Sequence, residues 1–220
     1  YCSQKYFAYG IVSRDSIMIH RIYERLLQYR ILKASLPRCV AVVLGSADLS
    51  REGLNRFCQL LDWSRSIGLS TLILYVSDDR PRLCPILKEF LASYPARISL
   101  HTADDVVITG TGGSLKVDIS LGYGGKKEVV EAFRSILRKV EEGSIEGDGI
   151  DEKTIESHLR FSQKPDLVIR AGGKRLSDFM IWQAAYSELY FTDVNWPAMR
   201  KIDFLRAIRD CQKRERRFGR

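Results

Sequence analysis

Little in this sequence offers sulfur or imidazole chemistry. Five cysteines and three histidines stand among 220 residues, and Cys2, Cys39, Cys58, Cys84 and Cys211 include no CxxC pair. That spacing excludes a paired-cysteine zinc site and gives no disulfide framework, so reduced thiols in a cytosolic protein are expected. His20, His101 and His158 are scattered and make no Cys-His or Ser-His-Asp grouping in the sequence. No apolar run approaches the ~20 residues of a spanning helix. No charged start followed by an apolar stretch is present either, so no secretory signal is expected. Acid is also in short supply: 27 acidic against 35 basic residues leave a formal net charge of +8. Such a balance implies an acidic partner, whether phosphate groups, nucleic acid or an anionic membrane surface. No RNA-binding signature or aromatic-basic interleaving is found, so nucleic acid is not expected.

What is present suits one ordinary domain over residues 1–220, long enough to bury a real core. Residues 1–14 have no periodicity and read as a loosely ordered lead-in. Ile19, Ile22, Tyr23 and Leu26 then recur at helical spacing and predict an amphipathic helix to about Leu32. The apolar run Val40 to Leu44 and the turn at Gly45-Ser46 lead into a helix with Leu54, Phe57, Cys58 and Leu61 on its core face. Thr71 to Tyr75 is the next strand, with a helix near Pro85 to Ala92 after it. Short strands are expected at Ile98 to Leu100, Val106 to Ile108 and Leu115 to Leu121, then a strong helix containing Phe133 and Val140. Residues 142–152 read as an exposed loop, and a shorter helix follows. The last helix points Phe204, Leu205 and Ile208 inward and ends in a basic tail over residues 209–220. Strands alternating with helices predict an α/β fold with a central, mainly parallel sheet and helices on both faces.

The stretch from Pro165 to Pro197 carries the chemistry. A buried strand through Val168 and Ile169 ends at Gly172-Gly173. A helical pattern of Phe179, Trp182, Tyr186 and Leu189 follows, with Ser177 as a candidate N-cap. A strand that ends in glycines and feeds a helix offers free N–H groups to an anion. Arg170 and Arg175 bracket that place, and guanidinium forks suit phosphate oxygens. On spacing alone, two solvated arginines beside a plain cap are the competing reading.

RAGGKRLSDFMIWQAAYSELYF followed by WP closely resembles the C-terminal signature of the cis-prenyltransferases, the undecaprenyl and dehydrodolichyl diphosphate synthase family. CVAVVL at residues 39–44, TLILY, the YGGK turn at Tyr123 to Lys126, PDLVIR and ERRFG fall in the family's order, so the similarity spans most of residues 30–219. The resemblance implies isopentenyl diphosphate binding by Arg170, Arg175 and Ser177, with Glu188 as a metal-linked carboxylate. In the family, Arg217-Phe218-Gly219 would correspond to an RxG motif that completes the partner's diphosphate site.

Two departures bear on activity. The family's first strand ends in a motif such as HVAIIMDGN, whose aspartate helps hold magnesium and the allylic diphosphate. Here CVAVVLGSA places Gly45 at the aspartate and Cys39 at the histidine. In place of a segment resembling YAFSTENWKRP the chain has YVSDDRPR. Asp48, Asp78 and Asp79 are the candidate substitute carboxylates, although Ser-Asp-Asp-Arg-Pro also reads as a turn. RAGGKR also has one residue fewer between its arginines than the usual RTGGExR, which implies displacement of Arg175. The resemblance therefore implies the accessory subunit of a heteromeric cis-prenyltransferase. Such a subunit would pair with a catalytic homologue, use Mg2+ only in the assembled enzyme and reside in the cytoplasm or at a membrane surface. A self-sufficient homodimer and a basic binding module are the alternatives.

Overall fold

The computed structural model describes residues 14–77, 83–102, 105–173, 175–176 and 179–214. It is an α/β fold built on one seven-stranded sheet, as the alternating pattern predicts. The strands are β1 (Cys39–Leu44), β2 (Thr71–Val76), β3 (Arg97–His101), β4 (Val106–Thr109), β5 (Lys116–Leu121), β6 (Leu167–Ala171) and β7 (Glu188–Thr192). They lie in the order β4-β3-β5-β2-β1-β6-β7, with every pairing parallel except β3 with β4. The central strands explain that choice: all six residues of CVAVVL are buried, as a strand covered on both faces requires.

The helices are α1 (Arg14–Leu32), α2 (Arg51–Ser66), α3 (Leu83–Leu91), α4 (Gly125–Glu141), α5 (Glu152–His158) and α6 (Lys201–Lys213). On one face, Ile31 of α1, Phe57 of α2, Leu87 of α3 and Phe204 of α6 meet Val40, Val42 and Leu44 of β1. On the other, Ala41 and Val43 of β1 meet Tyr123, Phe161, Phe179 and Met180. Ser50 caps α2 by accepting from the Gly53 N–H at 3.2 Å, and Trp196 is fully buried with its indole N–H donating to the Gly53 carbonyl at 3.0 Å. This contact ties the start of α2 to the segment that follows β7.

The helix expected through Ile19 to Leu32 forms, with its apolar stripe outward, and two other expectations are corrected. Ile19, Ile22, Tyr23 and Leu26 are exposed by 65, 53, 44 and 52%. α1 packs instead through Leu27 and Ile31, and Lys201 at the start of α6 pairs with Glu24 at 3.2 Å. The helix expected from Ser177 to Leu189 is absent among the described residues, where 181–186 are turns and 188–192 form β7. Met180 sits at φ +23°, outside the right-handed helical region. The alternating, aromatic ELYFT segment satisfies its backbone by pairing with β6. Within the stretch expected as a basic tail, residues 209–213 belong to α6, and residues 215–220 lie outside the described residues.

Removing Trp196 both empties the core and deletes a buried hydrogen bond to the Gly53 carbonyl. Trp196→Ala is expected to cost about 3–5 kcal/mol in urea unfolding, whereas a change below about 1 kcal/mol would contradict this packing.

Candidate functional site

β1 and β6 are neighbours, but the chain leaves them in opposite directions, toward β2 from β1 and toward β7 from β6. Parallel strands that diverge in this way leave a crevice beyond their carboxyl ends, the usual place for a ligand in an open α/β sheet. Arg170 stands at this edge in register with Val43, and its Nη1 donates to the Val43 carbonyl at 3.0 Å. Two glycines frame the guanidinium. A Cβ on Gly45 would lie 3.9 Å from Arg170 Nη2, and one on Gly173 would lie 3.4 Å from its Nε. Among the described residues, that Nε is buried without a hydrogen-bond partner. A buried donor of this kind ordinarily has an acceptor, so its position fits an anion in the crevice.

Gly172 makes the turn above β6. Its φ is +64°, and a Cβ there would come within 2.8 Å of Asn195 Oδ1, so both conformation and space favour glycine. Its N–H donates to the Thr192 carbonyl at 3.0 Å, which fixes the turn against β7.

Gly45, by contrast, has φ −92° and ψ 170°, an extended backbone open to any residue. A Cβ there would meet Asp48 Oδ2 at 3.6 Å, an ordinary contact. Neither the backbone nor the space therefore requires glycine where the resemblance expects aspartate. Asp48 lies in the 3-10 turn Ser46–Leu49, and its Oδ2 accepts the Gly45 N–H at 2.7 Å. The turn brings its carboxylate beside the crevice rather than into the following helix.

The other expected site residues are not all gathered there. Arg175 is exposed and lies two residues past Gly173. Ser177, Asp78, Asp79, Arg217 and Gly219 lie outside the described residues. Glu188 opens β7 level with Leu167, three rows from Arg170 and so about 10 Å away along the strands. It pairs with Arg214 at 3.1 Å, and Arg214 also pairs with Asp210 at 2.6 Å. Among the described residues no three acidic, histidine or cysteine side chains are grouped to hold a metal. Asp48, with one oxygen already bonded to an N–H and no such group around it among the described residues, is a poor fit for magnesium.

Two sequence positions acquire different meanings. Cys39 opens β1 at the opposite end of the strand from Gly45, where burial, followed by the nearby Asp166 and Asp118 carboxylates, pushes its thiol up to about 12. It is a neutral core group there. His101 is not isolated: its Nε2 lies 3.2 Å from Asp118 Oδ1, and Lys116 Nζ lies 3.1 Å from Asp118 Oδ2. Lys116, Asp118 and Ser120 alternate onto one side of β5, so a charge at an inward strand position was the available signal. Burial opposes the charge on Asp118 most strongly, but the His101 hydrogen bond and the Lys116 ammonium outweigh it and hold its carboxyl below the ordinary range. That stabilisation is present above the unfolded value near 3.9 and is lost as the pH falls through the lowered folded value. His101→Asn is expected to move acid unfolding to higher pH in a circular-dichroism titration, while an unchanged midpoint would contradict the assignment.

The fold and this crevice define an α/β domain suited to an anionic ligand at a strand switch point. The family model described as "Putative undecaprenyl diphosphate synthase" matches residues 92–219. The tritrans,polycis-undecaprenyl-diphosphate synthase (geranylgeranyl-diphosphate specific) of Methanocaldococcus jannaschii is 30% identical over 253 positions, covering 93% of this chain and 90% of that protein. The protein of the same name from Picrophilus torridus is 47% identical over 247 positions, covering 91% and 97%. Both alignments are longer than this chain, so these relatives carry residues that it lacks. Lavandulyl diphosphate synthase from Lavandula x intermedia, solved with dimethylallyl diphosphate, superposes with a TM-score of 0.70 at 26% identity, covering 84% of this chain and 99% of that one. The chain belongs to the undecaprenyl diphosphate synthase family, the cis-prenyltransferases.

Arg170→Ala removes the buried donor while leaving the sheet edge paired. Calorimetric titration with inorganic pyrophosphate is expected to show affinity lowered at least tenfold, consistent with loss of a charge-assisted hydrogen bond. Unchanged affinity would place the anion elsewhere.

Proposed function

We propose that this chain is the isopentenyl-diphosphate-holding, carboxylate-poor subunit of a heteromeric cis-prenyltransferase that makes long-chain polyprenyl diphosphate. The observation that carries the reading is Gly45 at the carboxyl end of β1, beside Arg170 and on a backbone that would accept aspartate. Arg170, with Arg175 and Ser177 beyond it, binds the isopentenyl diphosphate. The catalytic homologue supplies the carboxylate that this chain lacks, and the magnesium implied by family resemblance belongs with that homologue. In each condensation a carbon–carbon bond forms between isopentenyl diphosphate and the allylic carbon. The allylic carbon–oxygen bond breaks with release of diphosphate, and the isopentenyl unit loses a proton to leave a cis double bond.

The tail is the contribution offered in return. Arg214 is held by Glu188 and by the Leu189 carbonyl, at the end of β7 remote from Arg170's row. Arg214, the last described residue, thus lies on the side of the sheet away from this chain's own crevice. This supports Arg217 and Gly219 acting in the site of the partner, where Gly219 permits close backbone approach and Arg217 supplies positive charge.

Asp48 favours a second reading, a self-sufficient enzyme. Its carboxylate lies 3.6 Å from the position of a Cβ on Gly45, close to where an aspartate there would begin. The two readings diverge in an assay with farnesyl diphosphate, labelled isopentenyl diphosphate and magnesium. The chain alone is expected to be inactive, and activity should appear on adding a homologue that carries the first-strand aspartate. Arg217→Ala should reduce the pair's turnover without altering pyrophosphate binding by this chain. Turnover by the chain alone that disappears in Asp48→Asn would overturn the accessory reading and establish the second. The variant Gly45→Asp with Asp48→Asn is expected to gain turnover without a partner; continued inactivity in a folded variant would count against Gly45 as the missing element.

A further inference from the structure

α1 presents an apolar surface outward. Met18, Ile19, Ile22, Tyr23, Leu26 and Tyr29 are between 44 and 65% exposed, and their spacing forms one broad stripe along the helix. The opposite side of α1 is fixed in place. Leu27 and Ile31 enter the core, Gln28 donates to the Ser66 carbonyl at 3.1 Å, and Gln212 of α6 donates to the Ile31 carbonyl at 3.0 Å. The stripe therefore cannot turn inward without breaking these contacts.

Beside it lies a groove of about 360 Å³ between α1, β7 and α6, lined in part by Tyr23, Leu26, Arg30, Arg206, Arg209 and Lys213. Arg206 stands over the Tyr23 ring, 5.6 Å from its centroid. Arg21, Arg25 and Lys33 add exposed cationic positions on and just after α1. The nearby acids offset only part of this charge: Glu24 pairs with Lys201 at 3.2 Å, Asp210 with Arg214 at 2.6 Å, and Asp203, bonded to Arg200 at 3.1 Å, reaches Arg206 at 3.9 Å. Apolar and cationic groups share this face, whereas a polyanion without an apolar phase would leave the stripe in water.

We propose that the outward stripe of α1 and the cationic groove beside α6 together dock this protein on an anionic lipid surface. The stripe enters the boundary between headgroups and acyl chains, while Arg30, Arg206, Arg209 and Lys213 meet lipid phosphates, the pattern of an interfacial amphipathic helix. No described helix is long and apolar enough to cross a membrane, so the contact is with one surface. This inference does not depend on which subunit performs the prenyl transfer.

The test is flotation of the full chain with vesicles of phosphatidylcholine alone or mixed with phosphatidylglycerol. The chain is expected to float with the mixed vesicles, and binding should weaken as salt is raised. Ile22→Glu with Leu26→Glu, and separately Arg206→Glu with Arg209→Glu, should each lower the partition coefficient about tenfold or more. Phe133→Glu, on the exposed side of α4, should bind as the parent does, with circular dichroism verifying the fold of each variant. No binding to mixed vesicles, equal loss in Phe133→Glu, or full binding by either double variant would overturn the proposal. A native mass of two chains that falls to one in Ile22→Glu with Leu26→Glu would also overturn it, by assigning the stripe to a second copy.

Discussion

The position of one guanidinium governs the candidate site. Arg170 belongs to a strand covered on both faces, yet it lies near enough to the strand's carboxyl end for its side chain to cross the edge of β1. A charge in such a place is costly unless it is bonded. The Val43 carbonyl takes one of its donors, and the Nε donor faces the crevice with no partner among the described residues. The sheet order fixes where that crevice can be, because only strands whose connections part leave space between their ends. A charge-assisted bond to an anionic oxygen in the crevice would satisfy the remaining donor and reduce the burial cost together.

Glycines then determine how near the surrounding chain can come. Gly172 provides the left-handed turn and makes space for Asn195. Gly125 allows Met180 and Ile181 to approach α4, where a Cβ would lie only 2.8 Å from the Ile181 nitrogen. Gly53 performs the same service where α2 passes the Asp48 carbonyl. Gly45 differs because its surroundings would accept a side chain. This contrast separates glycines that the fold requires from one that it does not, which supports the proposed loss of a carboxylate at Gly45.

Much of this was legible in the sequence. CVAVVL and TLILY have the continuous apolar character of buried parallel strands, and α2, α4 and α6 have helical apolar spacing. The turn after PDLVIR was marked by its glycines. Periodicity failed in two places for different reasons. ELYFT follows residues that continue a helical pattern, and only pairing with β6 determines that it is a strand. Along α1 the apolar period was read correctly as a helix, but a period alone does not say whether its stripe meets a core or another phase. Pairings between distant strands, such as His101 with Asp118, arise from sheet order and have no local sequence signature.

The central claim is that this crevice has a cationic diphosphate-binding half without a functional metal-binding carboxylate of its own. Calorimetric binding of isopentenyl diphosphate to the isolated chain, with and without magnesium, tests it most directly. The account predicts equal affinity in both conditions. A strong magnesium requirement that vanishes in Asp48→Asn would contradict it.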